Sequence, residues 1–197
     1  MKGIKFSTTF FSHLLFETVS IVIGILLALG VNNWREERKN EEIIQLSLQN
    51  IRIEIMENKA NLQKVIPYHR TCKFTIEEKA AGQKGAGNDF LSIWRGLNPP
   101  MLYKSAFESA RNIGALSLMD YQLSNTISQL YYKQQFFYEM IHMYAQVFIS
   151  NASIAPHKQK NQYDALLPAF ADITAMETEL SKGYSEIIEL LQRSKGK

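Results

Sequence analysis

The chain has 197 residues, 46% of them apolar and 21% charged, with a formal net charge of +3. That composition excludes a disordered chain, and so mild a charge leaves no nucleic-acid footprint. The single cysteine, Cys72, excludes a disulfide framework or a cysteine-built zinc site within one chain, and a mean hydropathy of −0.18 excludes a polytopic membrane protein but leaves room for one span.

In chain order, residues 1–9 read as a short tail and residues 10–34 as a transmembrane helix. Between residues 10 and 31 the only formal charge is Glu17. As a helix that stretch measures roughly 33 Å, enough for the hydrocarbon core of a bilayer. Trp34 and Arg35 follow at once and form an interface anchor. A cleaved signal peptide is the rival, since Ala28-Leu29-Gly30 places small residues at −3 and −1. The length of the stretch, the thin basic region before it (Lys2, Lys5) and the helical pattern continuing past Gly30 favour a retained anchor. Basic residues do not set the orientation: Lys2, Lys5 and the terminal amine stand before the span, Arg35, Arg38 and Lys39 after it.

One face of this helix is polar or small. His13, Glu17, Ser20, Gly24, Ala28 and Asn32 recur every three or four residues, and the other faces are Ile, Leu, Val and Phe. Small residues at this spacing let two backbones approach closely in lipid, so the six form a helix-association face. Glu17 has two readings, an acid that relays protons or binds a partner, and one that snorkels to the headgroups.

Glu17, Gly24-Ile25, Ala28-Leu29 and Asn32-Asn33-Trp34-x-Glu36 together resemble the N-terminal signature of a family of single-pass bacterial membrane proteins of unknown function. Phe16 stands where that family usually has Gly, and the usual basic N-terminal stretch is shortened. A second similarity covers Ser105-Ala106-Phe107-Glu108-Ser109, Asn112-Ile113-Gly114-x-Leu116 and Tyr131-Tyr132. The resemblance implies a retained inner-membrane anchor, a short cytoplasmic N-terminus and a helical domain on the periplasmic side. It implies no activity.

Residues 35–197 read as a helical bundle domain. No Pro or Gly occurs between Val31 and Ile66, so a helix over about 35–66 continues the span. Ile44, Leu48, Ile51, Ile55, Asn58, Leu62 and Val65 form a heptad-like seam with one polar position, Asn58. Pro67 kinks or ends this helix, and Thr75-x-x-Glu78 offers a capping box for a second helix at about 68–81, with continuation of the first helix as the alternative. Residues 82–100 form a loop. Its Gly-rich start lacks the Lys-Ser/Thr ending of a phosphate-binding loop, and Phe90, Ile93, Trp94 and Leu97 tuck back onto the bundle. A short helix over about 101–113 ends at Gly114, and Asp120 caps the next, over about 121–153. That helix carries the seam Leu123, Ile127, Leu130, Gln134, Phe137, Ile141, Tyr144 and Phe148, again with one polar interruption. After a polar loop at 154–164, a last helix over about 165–194 has Pro168 in or just before its first turn. The fold expected is all-α: one N-terminal transmembrane helix continuing into a membrane-anchored antiparallel bundle.

Glu139-x-x-His142 has the spacing of a di-iron ligand pair, but no second copy exists, and Met140 and Met143 beside it read as core filler. No nucleophile motif or acid pair stands out. The aromatic cluster on the fourth helix (Tyr131, Tyr132, Phe136, Phe137, Tyr138, Tyr144 and Phe148) reads as core, with a partner surface as the alternative. The expectation is no enzyme, no cofactor, no metal, no nucleic acid and no small-molecule substrate. The partners expected are the lipid bilayer and a second copy or another membrane protein. The function expected is a scaffold or accessory subunit of an inner-membrane assembly, and the alternative is a signalling or proton-coupled component using Glu17.

Overall fold

A computed structural model describes residues 8–81, 90–154 and 159–193. The N-terminal tail, the Gly-rich start of the long loop and residues 155–158 of the polar loop lie outside them. The described chain is all-α, with six helices and no strand: α1 Thr8–Ala80, α2 Phe90–Ile93, α3 Ser105–Asn112, α4 Ala115–Leu118, α5 Tyr121–Ile154 and α6 Gln159–Arg193. The chain divides into two compact units, Met1–Gln45 and Leu46–Lys197.

The first unit holds the early part of α1. Every side chain described from His13 to Lys39 in it is exposed.

The second unit is a bundle of the later part of α1 with α5 and α6. Lys133 donates to Glu179 at 3.3 Å and Tyr144 Oη donates to Asp172, so α5 and α6 run antiparallel. Glu54 meets Tyr131 and Asn58 meets Gln134, so α1 and α5 run parallel. The parallel pair is possible because residues 94–104 return beside α1 as an extended strap. The core is lined by Ile51, Ile55 and Leu62 of α1, Ile127, Leu130 and Phe137 of α5, and Phe170, Ile173, Leu180 and Tyr184 of α6. Burying one such side chain contributes about 1.5–3 kcal/mol.

Pro67 neither ends nor replaces α1, and no separate helix begins at residue 68. Pro67 is exposed, as is Gln63, whose carbonyl loses its usual N–H partner four residues on, so water can serve that carbonyl. Just beyond it, Tyr68 and His69 are held by tertiary bonds that keep the helix going. Thr75 therefore caps nothing: its hydroxyl bonds back to the Thr71 carbonyl at 2.9 Å, within the helix. α6 begins at Gln159, ahead of Pro168, which lies exposed inside it.

The helix at 101–113 is shorter than its sequence suggests, because residues 101–104 belong to the strap. Gly114 ends the α3 turn with φ 76°, a left-handed conformation that costs glycine little. Asp120 caps α5 as expected, with Oδ1 accepting from the Leu123 amide at 3.0 Å. Phe90 and Leu97 are buried, and Trp94 packs edge-on to Phe170 with ring centroids 6.0 Å apart. Gly183 lets α5 and α6 close up: a Cβ there would lie 2.9 Å from Leu130 Cδ1.

Candidate functional site

The six residues of the expected association face all lie on α1 in the first unit, and all are exposed. A Cβ added at Gly24 would meet nothing within 4 Å. Ser20 donates its hydroxyl to the Phe16 carbonyl at 2.9 Å, and Thr18 donates to the Leu14 carbonyl at 2.8 Å. Both donors are thus satisfied inside the helix and need no water. Among the described residues α1 is the one helix long and apolar enough to cross a membrane, and none of its apolar 18-residue window is buried. At the end of this stretch the Arg38 guanidinium lies 5.3 Å from the centroid of the Trp34 ring. Arg38, rather than the neighbouring Arg35, stacks there as a cation–π partner.

In the second unit, the seam residues Ile51, Ile55, Leu62, Ile127, Leu130, Phe137 and Ile141 are buried, while Leu48, Leu123, Tyr144 and Phe148 are half-buried, as is Ile44 at the end of the first unit. The two polar interruptions come together. Asn58 Nδ2 donates to the Tyr103 carbonyl at 2.7 Å, and Asn58 Oδ1 accepts from the Tyr103 amide at 2.6 Å. Gln134 Nε2 donates to the same carbonyl at 2.9 Å, and its Oε1 accepts from the Tyr184 hydroxyl at 2.8 Å. An extended strap inside a helical bundle has no strand to pair with, so its main-chain groups must find side chains.

The same rule explains two further buried polar side chains, Glu54 and His69. Glu54 is 6% exposed. Its carboxylate accepts from the Ser105 hydroxyl at 2.9 Å, the Ala106 amide at 2.8 Å and the Phe107 amide at 3.3 Å. These are the first residues of α3, whose own N-cap, Lys104, offers no capping side chain. Glu54 thus serves as a cap from another helix, and its negative charge suits the positive end of the α3 dipole. Tyr131 donates to the same carboxylate at 2.7 Å and stacks on Phe107, with centroids 4.3 Å apart. Burial first, then the Glu54 carboxylate, pushes the Tyr131 phenol well above its usual range.

At the other end of the strap, Tyr68 donates to the Gly96 carbonyl at 2.7 Å and accepts from the Arg95 amide at 2.8 Å. Burial pushes its phenol up to about 12. His69 has both ring nitrogens engaged, Nδ1 with Glu177 Oε1 at 2.5 Å and Nε2 with the Leu97 carbonyl at 2.9 Å. The Leu97 carbonyl can only accept, so Nε2 donates in that bond. Cys72 is buried one turn on, and burial pushes its thiol up, which keeps it in the unreactive protonated form. A groove of about 300 Å³ beside this pair is lined by Arg70, Glu177, Ser181 and Lys182.

Glu139 and His142 are exposed on α5, where Glu139 accepts from Gln135 at 2.9 Å. Among the described residues no three His, Cys, Asp or Glu side chains converge as metal ligands. The aromatic cluster is divided: Tyr131 and Phe137 are core, whereas Tyr132 and Phe136 face outward.

Glu54, Tyr103, His69 and Glu177 carry no motif. The one available signal is Lys104, a poor N-cap before a helix, which implies an acceptor supplied from elsewhere.

A family model described as a family of unknown function (DUF6090) matches residues 17–94, less than half of the chain. The matched stretch begins at Glu17, includes all of α1 from there on, and stops at Trp94, where the strap begins. The middle segment at 105–116 lies outside it. No curated protein and no solved structure matches the chain.

Proposed function

We propose that the protein is a membrane-anchored helical interaction protein, a scaffold or accessory subunit of a bacterial inner-membrane assembly. The observation that carries this reading is the exposed apolar stretch of α1, with its hydroxyl donors already bonded within the helix. A contiguous apolar surface of that size is not tolerated in water, and an unbroken helix is one of the few backbones that lipid accepts. The span associates with a neighbouring helix through His13, Glu17, Ser20, Gly24, Ala28 and Asn32, and the bundle stands on the periplasmic side. A role in interaction rather than chemistry is supported by where the buried polar groups go: Glu54, Asn58, Gln134 and His69 all hold the strap or the start of α3.

The test is membrane fractionation followed by co-purification in mild detergent. The full chain stays with vesicles through an alkaline wash, and Gly24→Leu loses the partner helix. Recovery of the chain in the soluble fraction would falsify the anchor, and unchanged co-purification of Gly24→Leu refutes the association face. Glu17→Gln separates this reading from a proton-coupled component. A scaffold tolerates that change, and a proton carrier does not. Reporters fused to either terminus fix the orientation.

A further inference from the structure

Within the second unit, α1 carries a second apolar stripe on the side away from the bundle core. Leu46, Ile53 and Met56 are 56%, 57% and 50% exposed, and Phe74 further along is 60% exposed. Leu46, Gln49, Ile53, Met56, Ala60 and Gln63 alternate steps of three and four residues, the period of a coiled-coil seam; all six are exposed, and Gln49 and Gln63 are its polar members. Every seventh residue from Leu46 is apolar: Ile53, Ala60, Pro67 and Phe74 follow it. A stripe of this kind is a contact face that needs a cover.

The charges beside the stripe say what the cover is. One flanking row carries Arg52, Lys59 and Lys73, and the other carries Glu57, Lys64 and Glu78. In a parallel pair of coiled helices, a residue of the first row faces the residue five positions on in the second row of the other helix. Two identical copies then bring Arg52 to the partner's Glu57 and Lys73 to the partner's Glu78. Lys59 meets the partner's Lys64, the one unfavourable pair. In an antiparallel pair the first row faces itself, and its charged members are all basic. The pattern therefore selects a second copy of this helix, running in the same direction.

We propose that the exposed face of α1 from Leu46 to Phe74 is a homodimerisation surface on which two copies pair in parallel. This deepens the scaffold reading and rests on it only for the common direction that a shared bilayer imposes. The experiment uses the full chain in native membranes and in mild detergent. Buried Cys72 is left in place, so the unaltered chain serves as the blank. Ile53→Cys, at an exposed position, forms a disulfide-linked dimer on mild oxidation, while Tyr132→Cys, exposed on α5, does not. Glu57→Lys weakens the dimer roughly tenfold, and adding Arg52→Glu restores it, because the pair is re-formed with its signs exchanged. The proposal is overturned if Ile53→Cys stays monomeric, links no better than Tyr132→Cys, or links only to a different protein. Fractionating the same membranes keeps the two readings apart. A membrane-bound chain that does not cross-link sinks the dimer alone, and a soluble chain that does cross-link sinks the anchor alone.

Discussion

Asn58 on α1 and Gln134 on α5 approach to 3.3 Å and both donate to the carbonyl of Tyr103. The single polar residue in each helix's apolar seam is therefore spent on the same peptide group. Left without them, that carbonyl and the Tyr103 amide would have no protein partner for their part-buried bonds. Asn58→Leu is expected to destabilise the bundle by about 1–3 kcal/mol, since the Tyr103 amide loses its acceptor while the carbonyl keeps Gln134. Asn58→Asp keeps the acceptor for the Tyr103 amide and loses the donor, so it falls between. Chemical denaturation in detergent followed by circular dichroism reads both, and equal stability of Asn58→Leu and the unaltered chain would refute the role.

Glu54 is expected to control α3 locally. Glu54→Ala removes the acceptor for two amides and one hydroxyl at the helix start, at a cost of about 1–3 kcal/mol. Glu54→Gln keeps an acceptor but loses the charge that favours the helix N-terminus, and costs less. Hydrogen exchange at Ala106 and Phe107 is the sharpest readout. Protection there falls first, and unchanged protection in Glu54→Ala would show that α3 needs no external cap.

The buried His69–Glu177 pair holds the upper end of the strap. Removing one partner leaves the other polar and buried, so His69→Ala and Glu177→Ala each destabilise by about 3–5 kcal/mol. The double variant His69→Ala with Glu177→Ala loses less than the sum of the two, because neither side chain is left facing a missing partner and only the Leu97 carbonyl stays unserved. Unfolding curves of the three variants decide it, and strict additivity counts against a coupled pair.

Stability should fall in alkali. Burial raises Tyr68 from 10.0 to about 12, and Tyr131 and Tyr184 are also raised chiefly by burial. Above pH 10 the unfolded chain loses these phenolic protons while the folded chain keeps them. The contribution is thus fully present below pH 10 and drains away as pH climbs towards 12 and beyond. The thermal midpoint should be flat from neutral pH to about 10 and drop steeply above it. A flat profile through that window would contradict the buried-phenol account. An alkaline membrane wash therefore weakens the bundle while leaving the apolar stretch of α1, which has no phenol between Leu14 and Trp34, untouched.

The sequence alone determined the helical class, the apolar stretch with its lone Glu17, the seams at 44–65 and 123–148, the Asp120 cap and the Gly114 stop. All of these follow from local periodicity, or from one residue acting on its own neighbours along the chain. Only the tertiary structure decided that α1 runs through Pro67, because that depends on which side of the helix meets water and on the bonds made by Tyr68 and His69 beyond it. It also decided that residues 94–104 lie as a strap fastened by Asn58 and Gln134, and that Glu54 caps the start of α3. Those bonds join residues 31 to 53 positions apart. A polar side chain in an apolar seam announces that a partner is needed, but a one-dimensional pattern cannot name a carbonyl that reaches it only after the chain has turned back.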